Sequence, residues 1–304
     1  MTDQRTFLAA KRTVDDRALN RRVLDRFTAA LEARPAPVRI VEIGAGIGTM
    51  IARLAAWGRL PDEVTYRAVD TDAKSVRAAR ERVPDWLEDA GYAVDRLDDG
   101  RAETTLVARS DGRRLEVKLE VADGFAIADD ADAVIASAVL DIVALDRALP
   151  AIEELLASDG LLYAPLTFDG KTAFAPRDPA DDGIERGYHR HMDTVRSAGG
   201  SRVGSELLWR LPESGWSVLE DGGSDWIVRP RDEEYPGAER LFLESLLETI
   251  DGALAELAGD EPESEFGELE SAERRRWLRR RRNELEREEL VFVAHNIDVL
   301  ARPD

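Results

Sequence analysis

Short, almost uninterrupted apolar runs alternate along the chain with segments whose apolar residues recur at helical spacing. Runs at 40–43, 64–70, 115–121, 133–140 and 161–168 are typical of strands in a parallel sheet that is buried on both faces. The segments between them, such as 73–92 and 146–157, have the period of amphipathic helices. Strands that alternate with helices predict an α/β fold with a doubly wound, mostly parallel sheet.

The first run leads directly into three glycines on alternate positions. The sequence Glu42-x-Gly44-x-Gly46-x-Gly48 follows the strand, and helical spacing begins at Met50. Glycines let a backbone approach a ligand closely, and a helix N-terminus offers unpaired N–H groups, so this turn predicts a binding site. The dinucleotide pattern G-x-G-x-x-G fails here, because its third glycine falls on Thr49.

Acidic residues also stand where the next strands end. Asp70 closes the second strand, and two carboxylate oxygens suit the vicinal diol of a ribose. Asp72 is a rival for this role, or the cap of the following helix. Asp123 closes the third strand, whose partner in a hairpin is 104–108, and it is also half of an Asp-Gly turn signal.

These motifs closely resemble the glycine loop and strand ends of class I S-adenosylmethionine-dependent methyltransferases, over roughly residues 38–230 and the final strand. The resemblance implies a Rossmann-like sheet of seven strands, with an antiparallel last strand, and S-adenosylmethionine as cofactor. It further implies that Asp123 meets the adenine amino group, that Phe125 packs on the adenine ring, and that the end of strand four faces the sulfonium. The predicted cofactor-binding residues are Glu42, Gly44, Ala45, Gly46, Gly48, Asp70, Thr71, Asp123, Gly124, Phe125, Ser137 and Leu140.

The predicted catalytic residues are Asp141, Tyr188 and His189. A histidine near neutral pH can take the proton of an attacking hydroxyl, whereas the alternative is a pair of surface histidines with His191. Asp141 is a polar contact to substrate or a helix cap. Asp141 with Asp169 is similar to the magnesium site of catechol O-methyltransferases, but Gly170 stands where that family has Asn, so no metal site is predicted.

The chain divides into four predicted parts: an N-terminal helical cap (1–38), a methyltransferase core (39–230), a helical insertion (231–289) and the last core strand (290–304). We expect the insertion to be a lid or an element of acceptor specificity, with an acidic linker at 259–265 between its two helices. In the cap, Lys11, Arg12 and Arg17 are candidates for the cofactor carboxylate, or belong to a solvated charged helix.

One basic segment, Arg274–Arg282, stands out in an acidic chain. One interpretation of this segment is a docking site for an anionic acceptor or for RNA. The other, which we favour, is a helix whose arginines pair with acids across turns.

Composition narrows the function further. The 304 residues carry a net charge of −20, only four lysines and no cysteine, which excludes disulfides and cysteine catalysis and disfavours nucleic acid as partner. The acidic, lysine-poor composition resembles that of proteins from halophilic archaea; an arginine-rich, GC-rich genome is the alternative. No apolar stretch is long enough to span a membrane and the N-terminus lacks a signal peptide, so a cytoplasmic protein is expected.

Together these patterns predict methyl transfer, most simply O-methylation of a small molecule or glycan with His189 as base. The alternatives are a non-catalytic, methyltransferase-like binding protein, and N-methylation of RNA or protein. The second is disfavoured because the Asn/Asp-Pro-Pro-aromatic tetrad of amino-group methyltransferases is absent. The oligomeric state is left open, with a homodimer as one option.

Overall fold

A computed structural model describes residues 4–97, 104–260 and 271–304. The predicted acidic linker lies mostly in 261–270, outside the described residues. Within the described ranges the helices are α1 (Gln4–Ala18), α2 (Arg21–Glu32), α3 (Thr49–Ala56), α4 (Ala73–Asp89), α5 (Leu145–Leu155), α6 (Asp181–Thr194), α7 (Val203–Glu213), α8 (Glu239–Asp260) and α9 (Ser271–Glu286). The strands are β1 (Val38–Ile43), β2 (Glu63–Asp70), β3 (Ala93–Leu97), β4 (Thr104–Ser110), β5 (Arg113–Val121), β6 (Ala131–Ile135), β7 (Leu156–Ala175), β8 (Trp216–Gly223), β9 (Trp226–Val228) and β10 (Val291–Pro303).

All ten strands form one sheet in the order β3-β4-β5-β2-β1-β6-β7-β10-β8, with β9 also paired to β10. The central strands β5, β2, β1, β6 and β7 are parallel, and β10 is antiparallel to both of its neighbours. The predicted fold class is therefore confirmed, including the antiparallel last strand, but the described sheet has ten strands instead of the seven that the resemblance implies. Strand order reverses between β1 and β6, which is where open α/β sheets form a ligand crevice.

Alternate residues of the central strands face opposite sides of the sheet and belong to separate apolar clusters. Ile40 of β1 packs in a cluster with α2, α3 and α4, whereas Val41 and Ile43 pack in another with α5 and α7. Burial on both faces explains why the central strands are nearly continuous apolar runs.

A third apolar cluster joins parts of the chain that are far apart in sequence. It contains residues of α1, α6, α8 and α9 together with the first half of β10. Phe7 of α1 stacks on Phe242 of α8 with 5.5 Å between ring centroids, and Trp226 of β9 meets the same ring edge-on at 5.7 Å. The N-terminal helix and the helical insertion thus pack together, while α2 belongs to the main core cluster.

The structure differs from the predicted elements in two places. Strand β3, which the sequence did not indicate, pairs with β4 at the sheet edge. Strand β7 extends well past the predicted 161–168, because its later residues pair with β10 as far as Ala175–Val291. Helix α4 runs through Pro84 without a break. No helix in the described part of the chain is long and apolar enough to cross a membrane.

Candidate active site

A cavity of about 790 Å³ opens at the carboxyl ends of β1, β2, β5 and β6 and beside the second half of β7. Most of the predicted site residues line it: Glu42, Gly44, Ala45, Gly46, Asp70, Thr71, Asp123, Gly124, Phe125, Ser137, Asp141 and Tyr188. These residues come from four separate strand ends and from α6. Parallel strands bring their carboxyl ends to one edge of the sheet, so the topology itself gathers them.

The glycines of the loop are required by close packing against neighbouring side chains as well as by the cavity. Gly44 has a φ of +65°, and a Cβ added there would lie 2.5 Å from Cγ2 of Val139. Gly48 has a φ of +81°, and its added Cβ would lie 2.4 Å from Cγ2 of Val83 in α4. Gly48 does not line the cavity. Its part is to let α3 approach α4 closely, which is a packing role rather than a ligand contact.

Asp70 ties the glycine loop to the end of β2. Its Oδ2 accepts a hydrogen bond from the Gly46 N–H at 2.8 Å, and its Oδ1 accepts one from the Asp72 N–H at 2.8 Å. A carboxylate has about four lone-pair sites, so acceptor capacity is left for a ligand. Asp72 caps α4 by accepting from the N–H groups of Lys74 and Ser75 at 3.1 and 3.0 Å. Asp72 therefore has the helix-capping role that the sequence offered as the alternative to ribose binding.

Glu42 is a buried acid at the floor of the cavity. Its side chain accepts a 2.8 Å hydrogen bond from the Tyr66 hydroxyl. Loss of solvation raises the pKa of Glu42 to about 8, against the lowering effects of Tyr66 and of nearby Arg53. The raised pKa favours the protonated form of Glu42 at neutral pH, even with Arg53 nearby.

Asp123 and its neighbours form a tight turn after β5. Oδ1 of Asp123 accepts from the Phe125 N–H at 3.0 Å, which is the turn role foreseen for an Asp-Gly pair. The Asp123 side chain is also exposed at the cavity, so its second oxygen is available there. A Cβ on Gly124 would lie 2.6 Å from Cγ2 of Ile43, so this glycine lets the turn lie against β1.

The segment after β6, the fourth strand in the sequence prediction, has residues that line the cavity and residues that pack in the core. Ser137 and Asp141 line the cavity, whereas Leu140 is fully buried in the cluster with α5 and α7 and does not reach it. Burial raises the pKa of Asp141, and its Oδ1 has no hydrogen-bond partner among the described residues. The backbone carbonyl of Asp141 accepts from the Gly200 N–H at 3.2 Å, which anchors the turn to the loop after α6.

The two histidines of α6 have different environments. His189 does not line the cavity; its Nε2 lies 2.9 Å from Oγ1 of Thr172, which does. Desolvation is the main cause that lowers the pKa of His189, so its ring is neutral at pH 7. His191 instead contacts Glu256 of α8 at 2.8 Å. Tyr188 lines the cavity, and burial raises its pKa.

The three cationic candidates of the N-terminal segment lie in different environments. Lys11 lines the cavity, and its Nζ lies 3.0 Å from a carboxylate oxygen of Asp15. Arg12 stacks on Trp86, 4.7 Å from the ring centroid, and Arg17 binds Glu239 of α8 at 2.5 and 2.8 Å. Only Lys11 of the three is placed to meet a ligand.

The basic segment of α9 makes ion pairs with acids of α8, of α6 and the loop before it, and of α9 itself. Arg274 pairs with Asp251 at 2.9 Å, and Arg280 with Asp178 at 3.1 Å. Arg281 is fully buried and binds Asp181 and Glu284, both at 2.5 Å. These contacts favour the interpretation of the segment as a paired helix over that of a docking site.

Asp169, the second acid of the magnesium-like pair, has a structural partner. Its Oδ1 accepts from both the N–H and the hydroxyl of Ser205 at 2.8 Å, at the start of α7. Among the residues that the structure describes, no three His, Asp or Glu side chains are grouped so that they could hold a metal ion.

Several cavity residues were not indicated by the sequence. They come from the far side of the cavity, and no short motif marks them, because they converge only through tertiary packing. They are Phe7, Phe168, Thr172, Met192, Arg196, Trp226, Leu246, Phe292, Ala294 and Asn296.

No protein-family model matches the chain, and no curated protein matches it. Among solved structures, the chain is similar to an S-adenosylmethionine-dependent methyltransferase from Geobacter sulfurreducens in complex with S-adenosyl-L-homocysteine, at 15% identity over 94% of this chain and 92% of that one, with a TM-score of 0.44. A second such complex, from Thiobacillus denitrificans, has 13% identity over 94% and 93%, with a TM-score of 0.45. The cyclopropane synthase MmaA2 from Mycobacterium tuberculosis has 13% identity over 92% and 82%, with a TM-score of 0.44. Similarity at this level leaves the function to be argued from the cavity itself.

Proposed function

We propose that the protein is an S-adenosylmethionine-dependent methyltransferase that acts on a small-molecule or glycan hydroxyl. One observation carries the proposal: the glycine loop, Glu42, Asp70 and Asp123, which the resemblance assigns to the cofactor, line a single cavity although they come from three strand ends. Chance placement of any one acid is common, but their convergence on the glycine loop fits one extended ligand with a ribose and an adenine.

The residues present fit that ligand chemically. Asp70 keeps acceptor capacity for the ribose hydroxyls, and the exposed Asp123 oxygen and Phe125 suit the adenine amino group and ring. Lys11 and Asp15, paired and buried at the cavity wall, offer opposite charges to the carboxylate and ammonium of an amino-acid group. When bound, the cofactor supplies a methyl group that its sulfonium charge already activates, so the protein mainly has to position the acceptor.

Proton removal from the acceptor falls to the Thr172–His189 pair. Thr172 lies at the cavity, and its hydroxyl can hand a proton on to the neutral His189 ring 2.9 Å away. We expect His189→Gln to lower turnover by about a hundredfold or more, with the affinity for S-adenosylhomocysteine unchanged. Initial rates with an acceptor found by screening against radiolabelled cofactor test this, and unaltered turnover would remove His189 from the chemistry.

The function is tested by calorimetric titration of the purified chain with S-adenosylhomocysteine. We expect binding by the native protein and none by Gly46→Val, because a Cβ at Gly46 would already lie 3.1 Å from Cδ1 of Leu8 and its φ is +56°. Far-ultraviolet circular dichroism serves as the folding control for the variant. Absence of binding by the native protein would contradict the proposed function. Undiminished binding by Gly46→Val would show that the glycine loop does not bind the cofactor.

A further inference from the structure

We infer that the methyl acceptor is a small, neutral, flat apolar molecule with one hydroxyl group, the chemistry of a simple phenol. The inference rests on the proposed methyl-transfer function and concerns the part of the cavity beyond the cofactor-binding residues. We call this part the acceptor chamber, and define it by Phe7, Phe168, Tyr188, Trp226, Leu246 and Phe292.

The walls of the acceptor chamber are aromatic and come from separate elements. Five of its six defining side chains are aromatic, one each from α1, α6, β7, β9 and β10. Phe168 and Tyr188 are almost fully buried, and Phe292 is more so. Ring faces and edges of this kind bind a flat apolar body through offset or edge-on contacts.

Polar groups in the chamber are few. The Asn296 amide donates to the Ser224 carbonyl at 3.2 Å, whereas Asn296 Oδ1 and Trp226 Nε1 are buried without a hydrogen-bond partner among the described residues. A sugar would bring several hydroxyls here, and each hydroxyl without a partner would cost binding free energy. The Thr172 hydroxyl, which is bonded to His189, can accept one hydrogen bond from a ligand, so a single acceptor hydroxyl is matched.

The charge around the cavity disfavours an anionic acceptor. Among the described lining residues, acids outnumber bases by six to three, and the one buried base, Lys11, is neutralised by Asp15. The acids are Asp15, Glu42, Asp70, Asp72, Asp123 and Asp141, and the bases are Lys11, Arg147 and Arg196. A carboxylate or phosphate on the acceptor would lose solvation and face this excess of acids, which the half-buried Arg196 and the exposed Arg147 only partly offset.

The volume sets an upper limit on size. A cavity of about 790 Å³ is within the range of roughly 300–1,000 Å³ that commonly holds one drug-sized ligand. Here the same space has to hold the cofactor as well as the acceptor. The acceptor is therefore limited to one or two rings.

The test is a calorimetric titration of the full chain, saturated with S-adenosylhomocysteine, with three probes: 2-naphthol, 2-naphthoic acid and N-acetylglucosamine. We expect 2-naphthol to bind at least tenfold more tightly than either of the others. Thr172→Val removes the hydroxyl while keeping the shape, and should weaken 2-naphthol binding by about two- to tenfold. Thr65→Val, on β2 and away from the cavity, is the matched control. It should leave the affinities for 2-naphthol and for S-adenosylhomocysteine unchanged.

A second variant fills the chamber instead of altering its polarity. Ala294→Leu, at a buried lining position of β10, should abolish 2-naphthol binding while S-adenosylhomocysteine still binds. The inference would be overturned if the acid or the sugar bound as tightly as 2-naphthol or more tightly, or if both Thr172→Val and Ala294→Leu kept full 2-naphthol affinity. In either case, binding of S-adenosylhomocysteine would leave the proposed function standing. Failure to bind S-adenosylhomocysteine at all would overturn the proposed function, and this inference with it.

Discussion

Asp70 holds two backbone N–H groups and still has acceptor capacity for a ligand. Asp72, two residues later, uses both carboxylate oxygens to accept the hydrogen bonds that cap α4. We therefore expect Asp70→Ala to weaken S-adenosylhomocysteine binding by about 1–3 kcal/mol, since hydrogen bonds to a charged group are lost. Asp72→Ala should instead lower the free energy of unfolding by about 1 kcal/mol with affinity retained. Calorimetry measures the affinity of both variants, and chemical denaturation measures their stability. An affinity loss confined to Asp72→Ala would show that Asp72, and not Asp70, binds the ligand.

Glu42 makes a pH-dependent contribution to stability whose sign follows from its raised pKa. Its folded pKa of about 8 is above the ordinary value of 4.5, so protonation favours the folded state. This contribution is fully present below pH 4.5 and is lost progressively as the pH rises to about 8, by about 1.4 kcal/mol per pH unit. Glu42→Gln, which does not titrate, should therefore gain stability relative to the native protein from pH 4.5 to 8.

Urea denaturation of both proteins across that pH range measures the difference. The control is Glu63→Gln, because Glu63 is exposed at the start of the same strand, β2. A difference for Glu42→Gln that does not change with pH would show that Glu42 ionises normally in the folded protein.

At the scale of elements, α9 is fastened to α6 by a buried cluster of polar groups. Asp181 at the start of α6 accepts from the Trp277 indole N–H at 2.8 Å and from the Arg281 guanidinium at 2.5 Å. Asp181→Ala leaves the fully buried Arg281 with fewer partners, and breaking a buried pair in this way costs about 3–5 kcal/mol of unfolding free energy.

The matched control is Arg279→Ala on the same helix, where the side chain is exposed and the change should be below about 0.5 kcal/mol. Denaturation midpoints give both values. If the two variants were equally stable, the cluster would contribute nothing that holds the insertion against α6.

What could be predicted from the sequence depends on how local its signal is. The glycine loop, Asp70 and Asp123 stand at the ends of continuous apolar strands, and the parallel sheet then gathers them. Phe7, Trp226 and Leu246 reach the same cavity from three distant elements, and no spacing within the chain encodes that meeting. The same limit applies to individual side chains at a strand end.

Leu140 and Gly48 illustrate that limit. Both are in the right loops, yet Leu140 points into the apolar cluster under α5 and Gly48 accommodates Val83 of α4. Residue spacing identifies a loop that borders a ligand, but the direction of each side chain is fixed by packing against helices that come later in the chain.

The whole molecule carries a net charge of −20, and its own repulsion acts against the compact state. Added salt shortens the screening length from about 10 Å at 0.1 M to about 3 Å at 1 M. We therefore expect the melting temperature to rise as KCl is raised from 10 mM to 1 M. Sucrose, which stabilises proteins by exclusion without screening charge, provides the control. A melting temperature that responds to sucrose but not to KCl would show that the acidic surface does not destabilise this fold, and would remove the physical argument for adaptation to high salt.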